Sequence, residues 1–348
     1  MILTLNCGSQ SIKWKVFDLK LNLVKDSKAE VSNNQDFSEI LGRELRKINI
    51  PEVTLIGHRV VHNGGIFRSP LKITDKNLVE LEKLNNLAPL HNPYNILGIK
   101  TCQNIFKGIP QFTVFDTEFF SDLPEKAYTY ALPEKIAKEF GFRRFGFHGI
   151  SHEFAAKKGA KLIKKPFTTL KIITCHLGGG ASITAIKDGK VIDTSMGFTP
   201  LEGLVMMTRP GNIDAEIVLE LAEEFSVDKA REILNKESGV KGICGEGEML
   251  KVLEKVEAGD KKAKLALDVF VYSIQKYIGA YYAILGGCDI LVFTGAIGFG
   301  SEKIRNMICK DLKILKGNPS ASSGQAKILA IETDEELSIA EKVLNIKY

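Results

Sequence analysis

The chain of 348 residues has six cysteines and no CxxC pair among them. Cys7, Cys102, Cys175, Cys244, Cys288 and Cys309 stand far apart, which argues against a disulfide framework and against a paired-thiolate zinc site. Long apolar runs are missing as well. The longest candidate, Ala280 to Gly300, is broken by Asp289 and several glycines, so it is expected to be helix end, turn, strand and loop, and no membrane segment is expected. Met1 leads straight into Ile2 to Leu5 without the basic segment and apolar core of a secretory signal, and with the scattered thiols this points to the cytoplasm. The 47 basic and 42 acidic residues are interleaved and leave a net charge of +5 without a basic block, so neither a nucleic acid nor a membrane surface is expected as partner. Neither GxxxxGK[ST] nor a GxGxxG following a strand occurs, which excludes the Walker and dinucleotide-binding fingerprints.

What is present is the composition of an ordinary globular protein, 44% hydrophobic and 26% charged, and long enough for two domains. Short β-branched or aromatic runs alternate with helical periods. Val53 to Ile56 and Gln111 to Phe115 predict strands, and Thr74 to Leu87 and Ser151 to Leu162 predict helices. Lys261 to Leu285 predicts a long helix followed by a buried strand, Ile290 to Phe293, and a last helix is expected from about Glu335. The class is therefore α/β.

One pattern occurs twice. Ile2 to Leu5, the small-residue turn Asn6 to Ser11 and Lys13 to Asp18 form strand, turn, strand; so do Leu170 to Cys175, His176 to Ser182 and Ile183 to Lys187, with Asp188-Gly189 turning into Val191 to Asp193. A Gly- and Ser-rich turn between strands gathers backbone N–H groups and hydroxyls in a concavity that suits phosphate, although a lone copy is equally a tight hairpin. Two copies half a chain apart predict a duplicated domain and shift the balance toward a nucleotide.

The chemistry-bearing residues are also grouped. All six histidines lie between residues 58 and 176, in His58 to His62, Leu87 to Pro93, Phe147 to His152 and at His176. The i,i+4 spacings of His58/His62 and His148/His152 lack the Glu of HExxH, which argues against zinc. Arginine is scarce at nine residues, yet Arg59 and Arg209 sit among Gly, Pro, His and Thr, where a planar guanidinium can grip a carboxylate or phosphoryl group; a surface ion pair is the alternative for each. Asp116 ends a predicted strand, at the edge of the sheet where ligands collect in α/β proteins, or else caps a turn.

These residues carry a resemblance to the acetate kinase family. It runs in order through Asn6 to Lys13, Gly57 to His62, Leu87 to Pro93, Val114 to Thr117, Phe145 to His152, His176 to Ser182, Asp193 to Arg209 and Thr333 to Leu337, and Asp193 to Leu204 is its most specific stretch. The resemblance implies the duplicated RNase H-like fold of actin, Hsp70 and the sugar kinases, with the nucleotide in the interdomain cleft. Its domains would be residues 1–117 with 336–348, and 118–335. It implies that Asn6, Ser9, Ser11 and Lys13 meet the phosphates from one domain and His176, Gly178, Gly179 and Gly180 from the other, while Gly295, Ala296, Ile297 and Gly298 belong to an adenosine-side loop from Phe293 to Gly298. Val61, Leu90, Phe147 and Pro200 would line the acyl pocket, and Arg59, Asp116, His148 and Arg209 would be catalytic. Asn6, Asp116 and Glu335 would position Mg²⁺ or Mn²⁺ on ATP or ADP.

The implied reaction is reversible phosphoryl transfer from ATP to acetate, giving acetyl phosphate and ADP, in a homodimer. Departures from the family pattern keep alternatives open. Gly179 stands where the family has asparagine, as in butyrate kinases, so propionate or butyrate is an alternative acceptor. Glu246 to Leu250 lack an arginine expected near the adenine, and Phe299-Gly300 replace a Glu-Asn pair, so pyrophosphate is an alternative donor. The alternative from another class is a nucleotide-regulated binding protein on the same fold, against which Arg59, Asp116, His148 and Arg209 all speak.

Overall fold

The computed structural model describes residues 1–8, 11–31, 36–48, 52–89, 91–316 and 325–346. The chain divides into two compact units, Met1–Ser121 with Asp334–Tyr348, and Asp122–Thr333, so that Glu335 stands in the first. Each unit is built on one sheet.

In the first unit the strands are β1 (Ile2–Gly8), β2 (Ser11–Phe17), β3 (Leu23–Glu30), β4 (Leu55–Val60), β5 (Leu71–Lys72) and β6 (Gln111–Phe115), in the order β3-β2-β1-β4-β6-β5. β1, β2 and β3 form an antiparallel meander, and β4 and β6 continue from β1 in parallel. β6 is buried along its whole length and β1 along nearly all of it, as strands covered on both faces are, whereas β2 alternates Ile12, Trp14 and Val16 inward with Lys13 and Lys15 outward.

Two helices cover the two faces of β1. Leu5 and Cys7 pack with Cys102 and Phe106, from the helix Asn92–Ile105 and its end. Asn6, pointing the other way, meets Glu336 of the helix Glu335–Leu344. That second helix lies so close to β4 that a Cβ at Gly57 would sit 2.6 Å from Ile339 Cγ2, so glycine is needed there.

The second unit repeats the plan with β7 (Lys171–Leu177), β8 (Ala181–Lys187), β9 (Lys190–Thr194), β10 (Ile290–Thr294) and β11 (Lys327–Ala330), ordered β11-β10-β7-β8-β9. Again the first three strands form an antiparallel meander and the next two extend it in parallel from the first. The shared order is the duplicated RNase H-like architecture. A 25-residue helix, Lys261–Leu285, packs on β7 and β8 through a stripe that includes Ala263, Leu267, Phe270, Ile274, Ile278 and Tyr281. Asp260 caps its first turn by accepting from the N–H groups of Lys262 and Ala263, and Gly286 ends it in the left-handed region.

Gln111–Phe115 and Lys261–Leu285 take the bounds their periodicity predicts. The expected strand at Val53 to Ile56 instead starts at Leu55 and runs to Val60, carrying His58 and Arg59 into the sheet. The expected helix Thr74 to Leu87 is α-helical to Lys83 and tightens to a 3₁₀ turn over Leu84–Asn86. The expected loop Phe293 to Gly298 is a strand end followed by a short helix, Gly295–Gly300. β3 gave no sequence signal because it is a mostly exposed edge strand, LVKDSKAE, without a buried alternation.

Buried histidines make the first unit acid-sensitive. His58 Nε2 bonds Gln111 Oε1 at 2.8 Å, and burial pushes its pKa down to about 4 against that hydrogen bond. Between pH 6.5 and 4 the unfolded chain therefore binds more protons than the folded one. Stability that is present above pH 6.5 is lost as the pH falls toward 4, by about 3 kcal/mol for this residue. Trp14, the single tryptophan, lies in this unit and reports its unfolding by fluorescence. The urea midpoint is expected to fall from pH 7 to pH 4.5, and His58→Met is expected to flatten that fall; an equally steep fall in the variant would exclude His58 as its source.

Candidate active site

In the first unit the candidate residues gather at the C-terminal ends of the parallel strands β1, β4 and β6, where an α/β sheet presents ligand-binding groups. Asn6 lies near the end of β1, Arg59 lies in β4, Asp116 follows β6, and Glu335 and Glu336 open the last helix. Arg59 grips Asp116 with two bonds, Nε to Oδ1 at 3.0 Å and Nη2 to Oδ2 at 2.5 Å. Its Nη1 donates to Asn6 Oδ1 at 3.2 Å and lies 3.5 Å from Glu335 Oε2. Burial opposes the guanidinium charge, but Asp116 and then Glu335 outweigh it and hold the Arg59 pKa above its ordinary value. Glu336, buried and bonded by Asn6 Nδ2 at 3.4 Å, has its pKa pushed up by burial and by the adjacent Glu335. Sequence reasoning passed over Glu336, because a glutamate beside another at a helix start reads as a dipole-complementing surface residue.

Val61 follows directly after β4 and is buried, with its N–H donating to Asn95 Oδ1 at 3.1 Å. Ser11 is partly covered at the start of β2, and Lys13 points outward from the same strand. Ser9 and Leu90 lie outside the described residues.

The second unit brings together His148, His176, Gly178 to Gly180 and Arg209. His148 precedes the helix Gly149–Leu162 in a left-handed conformation (φ +59°), an uncommon backbone state for a histidine, and its ring stacks on His176 with centroids 4.2 Å apart. His148 Nδ1 bonds Ser182 Oγ at 2.8 Å, His152 Nε2 bonds the same hydroxyl at 2.7 Å, and His176 Nδ1 bonds Ser151 Oγ at 2.7 Å. The i,i+4 histidines are thus joined through a serine. Ser182, Thr174 and Ser151 were not singled out as site residues; their signal was the set of hydroxyl residues within otherwise apolar strand and helix faces.

A Cβ built on Gly180 would lie 3.4 Å from His148 Nε2 and 3.7 Å from Arg209 Nη1, so the imidazole edge and the guanidinium converge on one small space beside the β7–β8 turn. Arg209 Nη1 donates to the carbonyl of Pro200 at 3.1 Å, and no carboxylate pairs with it among the described residues. Burial with no acid to oppose it pushes its pKa down. Phe147 is buried and Pro200 partly covered. Gly295, at φ +77°, lies so near Leu177 that a Cβ would meet the Leu177 carbonyl at 2.6 Å, which seats the segment Gly295 to Gly298 against the end of β7.

A second cluster holds the segment Asp193 to Leu204 in place. Arg144 Nη2 pairs with Glu202 Oε1 at 2.6 Å, and its Nη1 donates to the carbonyls of Thr194 and Ser195 at 3.2 Å each. Tyr130 donates to the other oxygen of Glu202 and accepts from the Phe198 N–H. Glu202, seven positions before Arg209, is thereby committed elsewhere.

Comparison with known proteins identifies the family. The family model of the acetokinase family matches residues 25–341. The chain is 42% identical to the acetate kinase of Carboxydothermus hydrogenoformans, over 99% of this chain and 98% of that one. Among solved structures it superposes on Porphyromonas gingivalis acetate kinase (32% identity, TM-score 0.88, 99% and 98% covered) and on a propionate kinase from Francisella tularensis (36%, TM-score 0.89, 99% of each). Fold and site together define an enzyme that transfers a phosphoryl group to or from a carboxylate. The chain belongs to the acetokinase family.

An unpaired, half-buried guanidinium is costly until an anion arrives. Arg209→Met is expected to be no less stable than the wild type without ligand. It is also expected to lose the rise in melting temperature that ATP produces in the wild type, worth about 2.7 kcal/mol at a hundred times Kd. Equal stabilisation of both by ATP would show that Arg209 does not meet the anion.

Proposed function

We propose that the protein is an acetate kinase, catalysing reversible Mg²⁺-dependent transfer of a phosphoryl group between ATP and acetate. The observation that carries the reading is Arg209: a guanidinium without a carboxylate partner, converging with His148 Nε2 beside the glycine turn, in a chain 42% identical to an acetate kinase. An ionised carboxylate needs no base to attack phosphorus. The barrier is the approach of two anions, and the protein's task is to position them and offset their charge. In this reading Arg209 and His148 face the transferring phosphoryl group, Phe147 and Pro200 border the acyl group, and the backbone of Gly178 to Gly180 and Gly295 to Gly298 meets the nucleotide; the family resemblance gives Val61 a part in acyl preference.

The group around Arg59 suits a nucleotide-bound divalent ion. Asn6, Asp116 and Glu335 offer only oxygen donors, the set magnesium prefers, and their oxygens keep lone pairs beyond those facing Arg59. These three residues would hold the ion, directly or through water; Mn²⁺ would fit the same donors. When bound, the ion supplies positive charge to the phosphate oxygens. Arg59, saturated by Asp116, acts chiefly to fix that carboxylate.

The propionate kinase neighbour and the Gly179 turn support a second reading, in which a longer acid is the preferred acceptor. Pyrophosphate is the corresponding second reading for the donor, resting on the altered residues Glu246 to Leu250. A homodimer is the proposed assembly: the helix Ala215–Phe225 has no buried residue and exposes Ile217, Leu219 and Phe225, an apolar surface that a second copy would cover. The cytoplasm is the proposed location, in keeping with six unpaired thiols and with no helix among the described residues long and apolar enough to cross a membrane.

With ATP, acetate and Mg²⁺, acyl phosphate trapped as its hydroxamate is the expected product, absent with pyrophosphate and reduced ~10³-fold or more in Arg209→Ala. Product from pyrophosphate alone would replace the nucleotide reading, and product from neither donor would overturn the kinase assignment for acetate. Val61→Ala is expected to raise the rate on propionate and butyrate relative to acetate; an unchanged ratio would remove Val61 from the acyl pocket.

A further inference from the structure

Residues 198–202 form a loop with Pro200 at its centre, and the two ends of the loop meet at one side chain. The Tyr130 phenol accepts from the Phe198 N–H at 2.8 Å and donates to Glu202 Oε2, so a single hydroxyl closes the loop. No backbone–backbone hydrogen bond spans it among the described residues, and within it the Leu201 N–H reaches the Thr199 hydroxyl at 3.4 Å. Arg144 holds the other oxygen of Glu202 and, through the carbonyls of Thr194 and Ser195, the stretch that leads into the loop. Gly197 makes room for this closure, since a Cβ built there would overlap both Glu202 Oε2 and the Tyr130 oxygen. On the far side the Gly203 N–H donates to Asn212 Oδ1 at 3.0 Å, and the Gly203 carbonyl accepts from the Asn212 N–H at 3.0 Å, which ties the loop to the segment after Arg209.

We propose that Tyr130 and Glu202 are positioning residues that close this loop around Pro200 and thereby set the enzyme's preference for a short carboxylate. The proposal rests on the kinase reading for its effect on the acceptor, though not for the closure itself. The Pro200 carbonyl accepts from Arg209 Nη1 at 3.1 Å, and in the kinase reading the same residue borders the acyl group. A shift of the loop therefore moves the guanidinium and the pocket wall together. A short loop without backbone bonds of its own loses conformational entropy when it is ordered, and the bonds at Tyr130 offset that loss. Burial, and then the bond to Glu202, push the Tyr130 pKa above its ordinary value, so the phenol keeps the proton that closes the loop. Among the described residues neither Tyr130 nor Glu202 hydrogen-bonds to the turn Gly178 to Gly180 or to Gly295 to Gly298, so the effect falls on the acceptor and not on the nucleotide.

The test is Tyr130→Phe in the full chain, a change that removes one oxygen and keeps the ring. In the hydroxamate assay the variant is expected to raise KM for acetate about 10-fold, with KM for ATP close to that of the wild type, and to raise the rate on propionate relative to acetate. A KM for acetate that stays at the wild-type value, or that rises only in step with the KM for ATP, would overturn the positioning role. Hydrogen exchange at the Phe198 amide reads the closure without turnover: it is expected to be faster in Tyr130→Phe than in the wild type, and equal rates would show that Tyr130 does not close the loop. Wild-type protein that makes no acyl phosphate would refute the kinase reading, and the exchange rates would then decide the closure alone, faster exchange in the variant supporting it and equal exchange refuting it.

Discussion

A guanidinium held among protein groups without a carboxylate beside it is unstable in electrostatic terms, and the second unit is arranged to keep Arg209 in that state. Glu202, seven positions earlier, does not pair with it. It is occupied instead by Arg144 and by the phenol of Tyr130, which also anchor the backbone that carries Pro200. Arg209 is left with the carbonyl of Pro200, a bond that orients the guanidinium without neutralising it. The cost of desolvating one cation is thereby left without an offsetting carboxylate among the described residues.

The two units solve opposite problems on one topology. In each, an antiparallel meander is extended by parallel strands. In the first unit the cation is satisfied: Arg59 takes both oxygens of Asp116, so a carboxylate that would otherwise be buried and mobile is fixed in place. In the second the cation is withheld from any partner. The same residue type is thus paired in one place and left without a carboxylate in the other, and the difference lies in what stands within 4 Å.

Part of this was legible in the sequence for local reasons. Period-2 and period-3.6 patterns, Gly-rich turns and the Asp188-Gly189 hairpin are properties of neighbouring residues, so both strand-turn-strand units and the long helix Lys261–Leu285 could be read directly. Edge strand β3 could not, since a strand paired on one side by tertiary contacts needs no buried alternation of its own. Among site residues, arginines and histidines set among glycines and prolines stood out by type. Ser182, Thr174 and Glu336 did not, because hydroxyl and carboxylate residues are common on surfaces and only burial makes them unusual.

The amino-acid order by itself determined which groups are available: a scarce set of arginines, a histidine-rich middle, two small-residue turns at domain-like spacing, and the family they resemble. Tertiary structure alone decided how those groups are used. Arg59 and Asp116 are 57 residues apart, and His148 and Ser182 are 34 apart. Whether a cation is paired, and with which group, depends on separations of a few ångströms between such distant residues, because hydrogen bonds fade within about an ångström of their optimum while sequence separation places no limit on approach.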